Sequence, residues 1–269
     1  MNWIGVMLKE PPLRRLVKQI VRVLPVHIAT KALWDAVERP QYLCGVLHAA
    51  EQAQREGYPA VSVVEFGVAE GYGLITLQAH AEAVERATGI EVSVYGFDSG
   101  AGLPAFIGDY RDHPDHWRPG DYPMNETALR KRLQPRTRLI LGDVATTVRA
   151  QMLPSRMDVR PPIGFVAMDL DLYSSTVGAL RILTTVPLLR RVAMYFDDLN
   201  EAYNHRFAGE LLAIDEFNAS SKEVKIDRWR GLESWRPFPE APWLRSMYLA
   251  HNLAAISGVT LDRPTAKMR

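Results

Sequence analysis

At 269 residues the chain has room for one large domain, or for one domain with added helices. A hydrophobic content of 47% excludes a disordered chain, and 32 basic against 31 acidic residues give no global field toward nucleic acid or a membrane surface. The one cysteine, Cys44, excludes an intramolecular disulfide, agrees with a reducing cytoplasm and reads as a packing residue rather than a nucleophile.

The N-terminus does not read as a signal, because Lys9, Glu10 and Pro11–Pro12 interrupt it early, and no apolar run approaches the roughly 20 residues of a membrane span. Pro11–Leu24 then places Leu13, Val17, Ile20 and Leu24 at helical spacing, with Arg14, Arg15, Lys18 and Arg22 elsewhere on the wheel. This is an amphipathic basic helix, expected to dock on the domain or on a second subunit rather than on a membrane. Thr30–Val37 and Pro40–Glu56 read as two more helices, with Pro40 at a first helical position. Residues 1–57 are therefore expected to form a helical N-terminal extension, and residues 58–269 the main domain.

From residue 58 onward strands and helices alternate. Val61, Val63 and Val64 form a short buried strand after the Gly57–Pro59 turn signal, and Leu74–Ala87 follows as a helix. Strands are expected at Val92–Phe97, Arg138–Leu141, Ile163–Met168 and Val192–Phe196. Helices are expected at Asn125–Leu133, Val144–Met152, Ser174–Leu183 and Gly209–Ala219. Two further strands fit near Glu223–Arg228 and Arg245–His251. The alternation predicts an α/β, doubly wound, mostly parallel Rossmann-like sheet, although periodicity does not order the strands. Ser99–Met124 has no periodicity. Its Phe106, Tyr110, Trp117 and Tyr122 favour an ordered lid, while His113 and His116 lack a supporting ligand pattern.

The first strand ends at Glu65, and glycines follow at Gly67, Gly71 and Gly73. This is not the GxGxxG spacing that brings bare backbone to a pyrophosphate. A carboxylate two residues before the first glycine is a poor neighbour for phosphate and a good one for an amino group. S-adenosylmethionine carries an α-amino cation and a sulfonium and has no phosphate. Asp98 ends the second strand, where an acid can accept from both ribose hydroxyls of an adenosine cofactor; Ser99 adjoins it. Asp143 follows the third strand and either faces the adenine or caps the next helix.

The fourth strand ends with Asp169 and Asp171, and the fifth with Asp197 and Asp198. A gap of 28 residues between Asp169 and Asp197 fits one crossover helix between adjacent parallel strands. Carboxylates brought together in this way need a proton or a cation among them. Oxygen ligands alone suit Mg²⁺, Mn²⁺ or Ca²⁺ rather than zinc.

The motif series EFGVAEGYG, VYGFDSGAGLP, LILGDV, MDLDLYSST and YFDDL, from about Val61 to Asn200, resembles the macrocin/mycinamicin-type sugar O-methyltransferases of the class I S-adenosylmethionine-dependent superfamily. The resemblance implies the seven-stranded methyltransferase sheet with an antiparallel last strand, and a metal-dependent methyl transfer to a sugar hydroxyl. It implies that Glu65 and Gly67 hold the methionine end, Asp98 the ribose, and Asp169, Asp197 and Asp198 the Mg²⁺. Two departures stand out. Gly100–Ala101 replaces an aromatic-acid pair usual in that family, and Leu172 stands where catechol O-methyltransferases place a lysine.

Asp169, Asp171 and His205 are the candidate bases, with His205 closest to neutrality in its unperturbed pKa. The expected partner is a small saccharide acceptor, with a homo-oligomer formed through the N-terminal helices and no nucleic acid. The alternatives are another vicinal diol or a phenol as acceptor, or a non-catalytic scaffold that binds the cofactor.

Overall fold

The computed structural model describes residues 12–152, 161–200 and 204–259. Residues 1–11 of the expected extension lie outside them. The helices that precede the sheet are α1 (Pro12–Val23), α2 (Ile28–Leu33) and α3 (Pro40–Glu56). There follow β1 (Ala60–Phe66), α4 (Tyr72–Thr88), β2 (Glu91–Asp98), α5 (Glu126–Arg130), β3 (Thr137–Leu141) and α6 (Val144–Met152). The second half holds β4 (Ile163–Met168), α7 (Tyr173–Leu180), α8 (Ile182–Thr185), β5 (Leu188–Phe196), α9 (Gly209–Ser220), β6 (Val224–Arg228), β7 (Met247–Asn252) and α10 (Leu253–Ser257).

The seven strands form one sheet in the order β3-β2-β1-β4-β5-β7-β6. The pairs among β1 to β5 are parallel, and β7 runs antiparallel to both β5 and β6. The strand β1 is buried on both faces along most of its length, which is why it reads as a continuous β-branched run and not as an alternation. One face packs on α3 and α4 through Tyr42, Leu43, Val46, Leu74 and Leu77. The other packs on α6 to α9 through Val148, Leu180, Ile182, Ala213 and Ile214. Helix α3 approaches the sheet so closely that a Cβ on Gly45 would lie 2.2 Å from the Phe165 ring. Cys44 sits in this core, and burial first of all pushes its thiol up to about 11, as a packing residue requires.

Strand order reverses on either side of β1, so the crevice of the doubly wound sheet opens at the carboxyl ends of β1 and β4. Register brings the ends level. Phe66 pairs with Phe97 and with Met168, and Met168 pairs with Phe196. The residue that follows each of these is Gly67, Asp98, Asp169 or Asp197, so all four arrive at one edge.

Several element ends differ from expectation for local reasons. The second helix begins earlier, where His27 Nδ1 accepts from the Ala29 N–H at 3.2 Å. It stops at Leu33, because Asp35 turns into the left-handed region (φ 50°) and pairs in the interior with Arg236 at 2.8 Å. The expected helix Ser174–Leu183 is two short helices that meet at Arg181. On α1, the docked side chain is Arg14, which bonds Glu240 at 3.0 Å and lies over the Phe238 ring at 4.4 Å. Ile20 and Leu24, from the expected apolar stripe, are 47% and 42% exposed, so the helix rests on the domain through its basic side. No described helix is long and apolar enough to cross a membrane.

Candidate active site

The level strand ends border a cavity of about 850 Å³. Glu65, Gly67 and Gly73 line it from the β1–α4 turn, Asp98 and Ser99 from β2, and Asp143 from β3. Asp169 and Asp171 line it from β4, and Asp197 and Asp198 from β5. The segment 99–124 forms the remaining wall, with Leu103, Trp117 and Tyr122 among the lining residues.

The β1–α4 turn is built around Glu65. Its side chain is 1% exposed, and its Oε1 accepts from the Tyr42 hydroxyl at 2.5 Å. Its Oε2 is buried without a hydrogen-bond partner. Burial is the main cause that raises the Glu65 carboxyl to about 8, with Tyr42 and Arg39 offsetting part of it. A Cβ on Gly73 would lie 1.9 Å from Glu65 Oε1, so the third glycine leaves room for the carboxylate. Gly67 has φ +83°, and a Cβ there would lie 1.6 Å from the Asp169 carbonyl oxygen. Gly71 caps α4 in the left-handed region (φ 86°).

Asp98 is already committed to backbone. Val68 and Ala69 donate to its Oδ2 at 2.8 and 2.9 Å, and Gly100 donates to its Oδ1 at 2.6 Å. It therefore ties the glycine turn to the end of β2, while remaining on the cavity wall. Ser99 Oγ donates to the Gly102 carbonyl at 2.6 Å. Asp143 both lines the cavity and caps α6, accepting from the Thr146 N–H at 2.9 Å. The two alternatives for this residue are therefore compatible.

Asp169, Asp197 and Asp198 each present a carboxylate oxygen such that the three lie within 4.8 Å of one another. Two backbone bonds fix the arrangement. The Asp169 N–H donates to the Phe66 carbonyl at 2.9 Å and the Asp197 N–H to the Met168 carbonyl at 3.0 Å. The Tyr195 hydroxyl donates to Asp197. Asp198 is buried, and burial first, then Asp171, Asp169 and Asp197, hold its carboxyl well above the usual carboxylate range. Asp171 is left-handed (φ 60°), and its N–H donates to Asp198 Oδ2 at 2.9 Å.

His205 lies elsewhere. It is exposed, does not line the cavity, and packs on His113 with ring centroids 5.3 Å apart. Of three further residues that the sequence did not single out, Arg39 lines the cavity, while Tyr42 and Glu210 are buried behind its lining. Arg39, which precedes α3, lies 3.7 Å from Asp169 Oδ2. Tyr42 bridges Arg39 and Glu65. Glu210 on α9 is fully buried with neither carboxyl oxygen hydrogen-bonded. Burial first, and then Asp198, Asp169, Asp197 and Asp171, hold its carboxyl far up.

No protein-family model and no curated protein matches this chain. Among solved structures, it is similar to CalS11, a calicheamicin methyltransferase, with 20% identity, 90% of this chain and 93% of that chain covered, and a TM-score of 0.52. The fold is that of the methyltransferases. NovP, an O-methyltransferase, matches at 22% identity over 67% of this chain and 72% of that chain, with a TM-score of 0.48. In this methyltransferase fold the cavity lies at the reversal of strand order, where such sheets bind ligands.

Proposed function

We propose that this chain is an S-adenosylmethionine-dependent O-methyltransferase that acts on a hydroxyl of a sugar or glycoside, with a divalent cation at Asp169, Asp197 and Asp198. One observation carries the reading: Glu65, Asp98 and the three grouped aspartates line the same cavity. The donors fit Mg²⁺, Mn²⁺ or Ca²⁺, because they are carboxylate oxygens and are close enough to share one ion. The methyltransferase fold shared with CalS11, a calicheamicin methyltransferase, supports methyl transfer as the chemistry.

S-adenosylmethionine, when bound, would supply the methyl group, and Asp169, Asp197 and Asp198 would hold a cation whose positive charge would favour ionisation of a hydroxyl. The chain's own residues supply the rest. Glu65, with its unpartnered Oε2, is the acceptor for the cofactor's ammonium. Asp98 holds the glycine turn through Val68 and Ala69 and would accept from the ribose hydroxyls. Asp143, on the cavity wall beyond it, would border the adenine. Asp169 or Asp171 takes the proton, since both line the cavity and His205 does not. Leu103, Trp117 and Tyr122 add apolar and aromatic surface to the cavity wall. A site of this kind favours two adjacent hydroxyls, because Mg²⁺ prefers six oxygens and keeps several exchangeable waters.

The single buried Cys44 is in keeping with a cytoplasmic enzyme. Leu16, Ile20 and Val23, exposed along α1, and Leu24 just after it are in keeping with a homo-oligomer. The test is an acceptor panel of sugars and their singly deoxygenated analogues, read as methyl transfer. The reading expects turnover with a vicinal diol and loss of turnover when either hydroxyl is removed. Turnover restricted to phenols would replace the sugar with the alternative acceptor class.

A further inference from the structure

Every charged side chain that lines the cavity is a carboxylate, with Arg39 the single exception among the described residues. Its place follows from the start of α3. Arg39 takes a left-handed backbone (φ 42°) just before Pro40, which turns its side chain back over the carboxyl ends of the strands. The guanidinium lies over the rings of Tyr42 and Tyr72, at 5.0 and 5.4 Å from their centroids. Its Nη1 donates to the Tyr42 hydroxyl at 3.0 Å, and that hydroxyl donates to Glu65 Oε1 at 2.5 Å. Guanidinium, phenol and carboxylate thus run in a row, with the buried phenol behind the two charged groups that line the cavity. At one end is Glu65 Oε2, buried without a partner. At the other is a guanidinium with five N–H donors, more than Tyr42 uses.

An α-amino acid presents one ammonium and one carboxylate on a single carbon. We infer that Glu65 and Arg39 together form a receptor for such a head group, in which Arg39 holds the α-carboxylate of the cofactor's methionine end and Tyr42 fixes its distance from Glu65. The inference rests on the cofactor proposed above and assigns the half of the head group that the strand-end motifs leave without a partner. The competing role for Arg39 is as counter-ion to Asp169. The 3.7 Å separation from Asp169 is long for that role beside the 3.0 Å contact to Tyr42. A guanidinium is a planar cation whose paired N–H donors match a carboxylate.

The test is calorimetric titration of the full chain with S-adenosylhomocysteine and with its decarboxylated analogue, in metal-free buffer and with Mg²⁺. The wild-type chain is expected to bind S-adenosylhomocysteine at least about tenfold more tightly, a difference of about 1.4 kcal/mol. Arg39→Met should lose that preference by weakening S-adenosylhomocysteine alone, and Arg39→Lys should keep part of it. Equal wild-type affinity for both compounds would overturn the assignment without any variant. So would an Arg39→Met chain that weakens both equally, or one that keeps the preference and binds Mg²⁺ more tightly, as a counter-ion role requires. A wild-type chain that binds neither compound would instead remove the cofactor reading itself.

Discussion

Gly67 lies against the backbone of Asp169, with room for no side chain: a Cβ would come within 1.6 Å of the Asp169 carbonyl oxygen. The contact joins the turn that carries Glu65 to the loop that carries the grouped aspartates. Gly67→Ala therefore disturbs both halves of the site. A left-handed alanine alone costs about 1–2 kcal/mol, and relief of the overlap adds to it. Urea unfolding should show at least that loss, and titration should show weaker binding of both S-adenosylhomocysteine and Mg²⁺. Stability equal to wild type would mean that the two loops do not abut.

Glu65 makes the chain's behaviour depend on pH. Its carboxyl stands at about 8 when folded, against 4.5 as the ordinary value, mainly because it is buried. Between those values the folded state holds a proton that the unfolded state has released. Its stabilising contribution is thus complete below about pH 4.5 and is lost as pH rises through about 8. The ligand-free Tm should fall over that window, and Glu65→Gln should flatten the fall. Cofactor binding near neutrality should release up to one proton as the ammonium displaces it, read as buffer-dependent heats in calorimetry. An identical pH profile in wild type and Glu65→Gln would contradict the account.

Asp112 anchors the long segment that walls the cavity. It is fully buried, and it accepts from the Ile107 N–H at 3.0 Å and from the Ser174 N–H and Oγ at 2.8 and 2.9 Å. Ser174 lies in the first turn of α7, which follows the Asp169–Asp171 loop. Asp112→Ala leaves those donors unpaired, at about 1–3 kcal/mol each where they stay buried. Amide exchange should accelerate across residues 99–124 and at the start of α7, and remain slow in β1 and β4. Acceleration spread evenly over the sheet would indicate global destabilisation instead.

What the sequence disclosed follows from the type of signal each element carries. The strand β4 and the later parts of β1 and β5 are β-branched or apolar runs with acids at or just past their ends, so their place and the positions of Glu65, Asp169 and Asp197 were legible. Their convergence was not, because it depends on register: Phe66 against Met168 and Met168 against Phe196. Arg39, Tyr42 and Glu210 carry no motif. They reach the site through a left-handed turn before Pro40, the inner face of α3, and the first turn of α9. His205 illustrates the reverse. Its side-chain chemistry suits a base, yet it is exposed, packs on His113 and is not among the residues that line the cavity. The docking of α1 through Arg14 was hidden for a related reason, since periodicity shows an apolar stripe but not which side of a helix finds a partner.

The claim on which the function rests is that Asp169, Asp197 and Asp198 hold a divalent cation needed for transfer. The most direct measurement is methyl transfer to a vicinal-diol sugar by exhaustively chelated protein, before and after Mg²⁺, Mn²⁺ or Ca²⁺ is restored, with Asp197→Asn in parallel. No turnover is expected without metal, with recovery on its return and none in Asp197→Asn, which should bind S-adenosylhomocysteine as the wild type does. Full turnover by the metal-free wild-type chain would contradict it.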